Sequence, residues 1–263
     1  MPPSPSTSRS SRGPWIAGAL LALLLVLVIV VVALPASLVT RALPPGVTAS
    51  DFSGGLWHGA AGRLVAGGRD AGAIEWQLHP GDLPHLLLGF DATWAKGAFS
   101  LTGSGSLSLH GVTVTAVHGG GALEDIAPLT GMRGWRGTAT VALDRLEADF
   151  TQLRTVSGDI RVSDLHSATI GADDDLGAYS LHFDPGATGP DGVIDGQLRD
   201  DSGPLEVGAT VQLNPGSHLG TLRGTVRERS QASGALRRSI EQLAQLSPRD
   251  AAGRVPLDVE FAY

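Results

Sequence analysis

Histidine is the residue type in this chain best suited to acid–base catalysis or metal binding, because imidazole titrates near neutral pH and is a common metal ligand. No two of the eight histidines have the i, i+2 or i, i+4 spacing of a zinc site, and the zinc-protease pattern H-E-x-x-H does not occur. We interpret most of them as surface or strand-face residues and give His58, between Trp57 and Gly59, a turn or packing role. The eight are His58, His79, His85, His110, His118, His166, His182 and His218.

Other patterns that bind calcium or phosphate or form a nucleophile are incomplete. Asp173, Asp174 and Asp175 lack the alternating oxygen ligands, the glycine and the closing glutamate of an EF-type loop, which favours a solvated loop. The glycine run 119–121 is not followed by Lys-Ser/Thr, no serine lies in G-x-S-x-G, and the chain has no cysteine. The sequence therefore predicts no catalytic, cofactor or metal site, and a protein that is not an enzyme.

A long apolar run near the N-terminus predicts one transmembrane helix. Residues 15–34 contain no charge, no side-chain amide and no proline. At about 1.5 Å per residue, a helix of this length spans about 30 Å, the thickness of a bilayer's hydrocarbon core. The alternative, a signal peptide cleaved after Ala36, is disfavoured because signal apolar regions usually run about 7 to 15 residues and bulky Leu34 precedes the cut.

Charge around this run predicts its orientation. Arg9 and Arg12 precede it without any acidic residue, so the Pro- and Ser-rich tail 1–14 is predicted to be disordered and cytoplasmic. The chain from about residue 35 onward is then expected across the membrane. The whole chain has a formal net charge of −7, which disfavours a nucleic-acid partner, because binding phosphates requires a basic face.

The exported part predicts a mainly β fold. Ile74, Trp76 and Leu78 alternate with polar residues, and a similar alternation continues at 90–94, 99–109, 205–213 and 255–261. Gly103 and Gly105 on an apolar strand face are expected to leave gaps or permit a bend. With 36 glycines and 16 prolines, these patterns predict a domain of curved antiparallel sheet or sheets over residues 51–263, after a linker at 35–50.

One amphipathic helix is predicted near the C-terminus. Leu236, Ile240 and Leu243 lie at i, i+4 and i+7 within residues 233–246, and Pro248 follows. The helix packs either on its own domain or on a partner. Earlier in the chain, residues 119–133 interrupt the strand pattern and form a candidate boundary between two halves.

Several short blocks in a fixed order resemble protein N of the bacterial type II secretion system. The blocks are G-G-L-W-H-G-A-A-G-R-L at 54–64, G-A-I-E-W-Q-L-H-P at 72–80, V-S-G-D-I-R-V-S-D-L at 156–165, L-G-A-Y-S-L at 176–181, D-S-G-P-L-E-V at 201–207 and A-G-R-V-P-L at 252–257. The resemblance covers nearly the whole exported chain. Trp57, Gly59, Trp76 and Pro80 look like the structural signature of that family, with aromatic rings anchoring a sheet and glycine at tight turns.

The resemblance implies a single-pass inner-membrane protein of a Gram-negative cell, with its bulk in the periplasm. It also implies a role in exporting folded proteins across the outer membrane through contacts with other inner-membrane or periplasmic secretion subunits. Two alternatives from other classes remain at this point. One is a membrane-anchored β-groove that binds or transfers lipid, and the other is an enzyme acting on polysaccharide, which would need an acidic pair in a cleft.

Overall fold

A single antiparallel sheet of 14 strands dominates the computed structural model, which describes residues 35–37, 40, 43, 46–131, 133–149, 151–168, 170–186 and 192–262. The mainly β fold and the curvature of the antiparallel sheet agree with the prediction, and the sheet is open. The predicted span at 15–34 lies outside the described residues. Among the residues that are described, no helix combines the length and apolar character needed to cross a bilayer.

Successive strands pair with one another almost throughout, so most of the sheet is built from neighbouring segments of the chain. The pairing path runs from β1 to β14, except that β8 pairs with β10 while the short β9 pairs only with β8. The strands are β1 (Val47–Gly54), β2 (His58–Ala66), β3 (Arg69–His79), β4 (Leu88–Lys96), β5 (Phe99–Ser108), β6 (Gly111–Ala122), β7 (Trp135–Ala148), β8 (Leu153–Ser167), β9 (Gly171–Asp175), β10 (Ala178–Phe183), β11 (Ile194–Ser202), β12 (Leu205–Asn214), β13 (Leu219–Glu228) and β14 (Val255–Ala262). The helices are α1 (Leu123–Thr130) and α2 (Gly234–Leu246), and Pro80–His85 forms a 3₁₀ turn.

Because the strands alternate in direction, their connections fall at two opposite ends of the sheet. We call one the helix end, because α1 lies between β6 and β7 and α2 lies between β13 and β14. The connections β1–β2, β3–β4, β5–β6, β7–β8, β10–β11 and β12–β13 fall at the other end, which we call the turn end.

The main core lies at the helix end. Phe99, Leu123, Leu165, Leu176 and Leu236 form one buried cluster, which joins both helices to strands from distant parts of the sheet. Helix α2 adds a second cluster, in which Ile240 packs with Val226 and Val255. The predicted amphipathic helix therefore packs on its own domain.

Helix α1 was not predicted, because Pro128 looked like a break in the pattern. Proline removes one backbone donor from a helix interior and normally disfavours it. Here Leu123 and Ala127, which are 4% and 3% exposed, pack the short helix against the sheet. Tertiary burial therefore outweighs the local cost of the proline.

The glycine run at 119–121 also differs from expectation, since it lies inside β6 and pairs with both β5 and β7. Its residues have φ of +148°, +158° and +150°, an extended conformation that is nearly restricted to glycine. A Cβ on Gly119 or Gly120 would collide with a carbonyl oxygen of a neighbouring strand, and a Cβ on Gly121 with the carbonyl oxygen of Ala98, just before β5. The glycines thus permit close strand approach.

Two further expectations change in detail. Strand β1 begins at Val47, inside the segment 35–50 that was expected to be linker. The space above Gly105 is filled, because a Cβ there would lie 2.6 Å from the ring of Phe90, its cross-strand neighbour. A Cβ on Gly103 would lie 3.1 Å from the side chain of Val117. Neither glycine therefore leaves a void.

Replacing Leu236 with alanine tests the role of α2 in the fold. Leu236 is 1% exposed, so its loss should lower the free energy of unfolding by about 2–5 kcal/mol through lost burial and a residual cavity. Leu246→Ala in the same helix is the matched control, because Leu246 is 83% exposed and its change should stay within about 0.5 kcal/mol. Urea unfolding of the full chain in detergent, followed by tryptophan fluorescence, measures both. Equal effects would contradict the packing assigned to α2.

Candidate interaction site

The residues that sequence reasoning singled out for chemistry do not converge on one site. Within the described ranges, no group of three or more His, Cys, Asp or Glu is arranged to hold a metal ion. The residues 173–175, expected to form a solvated loop, instead belong to β9. The carboxylate of Asp174 accepts a hydrogen bond from the Ser233 hydroxyl at 2.7 Å, and Asp175 accepts one from the Gly177 amide at 2.8 Å. The carboxylates of Asp174 and Asp175 are therefore used in hydrogen bonds within the fold.

The contact with Asp174 has a structural purpose at α2. Ser233 is the N-cap of that helix, and its hydroxyl oxygen accepts a hydrogen bond from the Leu236 amide at 3.1 Å. Such a cap satisfies one of the unpaired donors at a helix start. By binding the capping hydroxyl, Asp174 links β9 to the beginning of α2.

His182 forms the most clearly perturbed histidine site on the polar face of the sheet. Its Nδ1 lies 2.8 Å from Asp159 and its Nε2 lies 3.1 Å from Asp184. Hydrogen bonds to Asp159 first and to Asp184 second raise the pKa of His182 above its ordinary value. All three side chains are exposed, with 46–69% of their surface accessible, so water screens the pairs and they contribute little to stability.

The four signature residues meet around the first three strands. The indole Nε1 of Trp76 donates to the Leu56 carbonyl at 2.8 Å, and Trp76 lies opposite Gly59 in the β2–β3 register. The Leu78 amide donates to the Trp57 carbonyl at 2.8 Å, and Pro80 begins the 3₁₀ turn. This arrangement agrees with aromatic anchoring of the sheet.

Gly59 differs from the expected turn glycine, since it lies within β2. A Cβ at this position would be 2.6 Å from the Trp76 ring and 2.5 Å from the Gly55 carbonyl oxygen. Glycine is therefore needed here because the ring and the backbone approach closely, not because of a left-handed backbone.

The two outer strands of the sheet offer different edges for binding another chain. In β1, Asp51 has φ +58° and no partner in the β2 register, so the backbone at that edge departs from regular extended geometry. An irregular edge is a poorer template for the addition of another strand. Strand β14 pairs in continuous register with β13, and in the described part of the chain its other side carries no strand. Its regular edge makes β14 the better candidate for an interaction site.

Side chains along β14 divide into a covered and an exposed portion. Val255 is fully buried beneath α2, whereas Val259 and Phe261, on the same strand face, are 50% and 36% exposed. Asp258 and Glu260 lie on the opposite face, where Asp258 pairs with Arg223 at 3.5 Å. An incoming extended segment would thus meet apolar side chains on one face and carboxylates on the other. The alternation at 255–261 predicts strand β14. Its position at the edge of the sheet is not predicted, because it depends on how segments far apart in the sequence pair with one another.

Residues 45–258 match the family described as "Type II secretion system (T2SS), protein N". The matched range contains both helices and all strands except the last part of β14. No curated protein and no solved structure matches the chain. The match confirms the family resemblance carried by the sequence blocks.

Replacing Gly59 with alanine tests the close approach of Trp76. The added methyl group should destabilise the fold by about 1–3 kcal/mol, because neither the ring nor the Gly55 carbonyl can move without disturbing the sheet. Gly208→Ala in β12 is the matched control, since a Cβ there meets nothing within 4 Å and Gly208 has no positive φ. Thermal unfolding by circular dichroism compares the two, and equal melting temperatures would contradict this reason for the glycine.

An NMR titration tests the His182 cluster. The pKa of His182 should exceed that of a free histidine and should fall in Asp159→Asn, while Asp258→Asn should leave it unchanged. Since the folded-state pKa is raised, the cluster stabilises the fold below the ordinary histidine pKa, and this stabilisation disappears as pH rises through the raised value. A pKa that is unaffected by Asp159→Asn would contradict the assignment.

Proposed function

Because this chain belongs to the type II secretion system protein N family, we propose that it is a non-catalytic inner-membrane component of the secretion machine. In this role it assists the export of folded proteins across the outer membrane through contacts of its β domain with other secretion subunits. The family match over residues 45–258 is the observation that carries the proposal. The lipid-groove alternative gains no support from a family defined by protein secretion.

The proposed location follows from the sequence before the sheet. Residues 15–34 form the single span, residues 1–14 lie in the cytoplasm, and the domain from about residue 51 lies in the periplasm. A single span confines the β domain near the membrane. Confinement raises its effective concentration toward other anchored subunits without any additional contact.

We assign the contact with another secretion subunit to the β14 edge. Strand addition supplies backbone hydrogen bonds for affinity, while alternate side chains supply specificity. The exposed Val259 and Phe261 favour apolar residues on one face of the incoming segment. Asp258 and Glu260 favour basic residues on its other face, because opposite charges across neighbouring strands are stabilising.

Replacing Val259 with lysine tests this assignment. A lysine on an edge strand opposes strand addition and removes an apolar contact, so recovery of secretion subunits with the tagged chain should fall about tenfold, equivalent to roughly 1.4 kcal/mol. Leu246→Lys is the matched control, because Leu246 is also an exposed apolar residue but lies at the C-terminus of α2. Both variants should fold, which a thermal melt checks.

Two outcomes would count against the proposal at different levels. Equal recovery of subunits with both lysine variants would remove the β14 edge as the contact. Deletion of the gene with unchanged secretion and unchanged assembly of the machine would remove the secretion role itself.

A further inference from the structure

Large exposed apolar side chains concentrate at the turn end of the sheet. Among the described residues, eight of the nine such side chains lie there, and Leu246 at the end of α2 is the ninth. The eight are Leu83, Leu86, Leu87, Leu107, Leu109, Leu219, Val259 and Phe261. Where exposed apolar side chains of this size are neighbours on a folded surface, they mark a place where something else binds.

Five of these residues form a group that we call the leucine rim. Leu83, Leu86 and Leu87 belong to the β3–β4 connection, and Leu107 and Leu109 belong to the end of β5 and the turn after it. The two parts are neighbours, because Leu107 pairs with Leu88, which directly follows Leu87. The rim is therefore continuous across β4 and β5.

The outermost residues of the rim are strongly exposed and are held in place by a defined backbone. Leu86 and Leu109 are 65% and 71% exposed. Leu86 has φ +58°, which is unusual for a bulky residue, and its amide donates to the Leu83 carbonyl at 2.9 Å. Leu86 thus adopts an energetically unfavourable backbone conformation in a turn where its side chain is exposed.

The position of Pro35 indicates what covers the rim. Pro35 forms an antiparallel bridge with Gly55 in the β1–β2 connection, and Ala36 beside it is 2% exposed. The β1–β2 connection lies at the turn end, as the rim does. Pro35 directly follows the apolar run 15–34, so a span over that run would leave the bilayer at this same end of the sheet.

We propose that the leucine rim rests in the headgroup region of the bilayer that residues 15–34 cross. This inference rests on the anchoring in the proposed function. One extended residue covers at most about 3.6 Å, so the bridge between Pro35 and Gly55 keeps the β1–β2 connection close to the membrane surface. Leucine side chains at that depth bury apolar surface in the boundary between headgroups and acyl chains.

The consequence is a fixed orientation of the domain. Two contacts with the bilayer, the span and the rim, hold the strand ends of β1–β6 against the membrane. The helix end, with α1 and α2, then projects away from the lipid.

Single-cysteine labelling of the full chain tests the proposal, because the natural sequence contains no cysteine. Leu86→Cys and Leu109→Cys report on the rim, and Leu246→Cys, at a leucine of the helix end that is 83% exposed, is the matched control. Each variant is labelled with an environment-sensitive fluorophore and reconstituted in vesicles of phosphatidylcholine and phosphatidylglycerol. Nitroxide-bearing lipid should quench the two rim labels, and aqueous iodide should quench them about threefold less than the control label.

The outcomes separate this inference from the proposed function. If the chain floats with the vesicles but rim and control labels respond alike to both quenchers, the membrane contact of the rim is wrong and the anchor stands. If the chain does not float, the anchor and the rim contact both fail. If the rim labels become shielded only after secretion subunits are added, without quenching by lipid, a protein covers the rim and the proposal is overturned.

Discussion

The antiparallel pairing that joins successive strands from β1 to β14 is the constraint on which the structure depends. Along this path each strand pairs with a neighbour on both sides, except that in the described part of the chain β1 and β14 are the two outer strands and each has an open edge. A sheet of this width also presents a long apolar face, and the described part of the chain provides only two short helices to cover it. Both helices lie at one end, so apolar side chains remain exposed at the other.

Pairs of an aromatic ring and a glycine on neighbouring strands cover part of the sheet face that the two helices leave exposed. Trp76 lies over Gly59, Phe90 over Gly105 and Phe261 over Gly220. In each pair the ring occupies the space that a side chain on the opposite strand would fill. This arrangement shields glycine backbone, which otherwise weakens a strand, and allows the sheet to pack without a complete second layer.

Local patterns predicted much of the fold, and nonlocal packing determined the rest. Period-two alternation predicted β3 and β12, and the spacing of Leu236 and Ile240 predicted α2. Helix α1 was missed because Pro128 opposes a helix locally, while burial of neighbouring residues stabilises it. The edge position of Val259 could not be predicted, because exposure there depends on which strand lacks a second neighbour.

The proposed function requires that the sheet lies across the membrane from residues 1–14 and remains attached to it. Fusions at the C-terminus to alkaline phosphatase, which is active only after export, and to green fluorescent protein, which fluoresces in the cytoplasm, test it most directly. The account predicts an active phosphatase fusion in the membrane fraction and a dark fluorescent-protein fusion. An inactive phosphatase fusion together with a fluorescent green-fluorescent-protein fusion would contradict this location of the sheet.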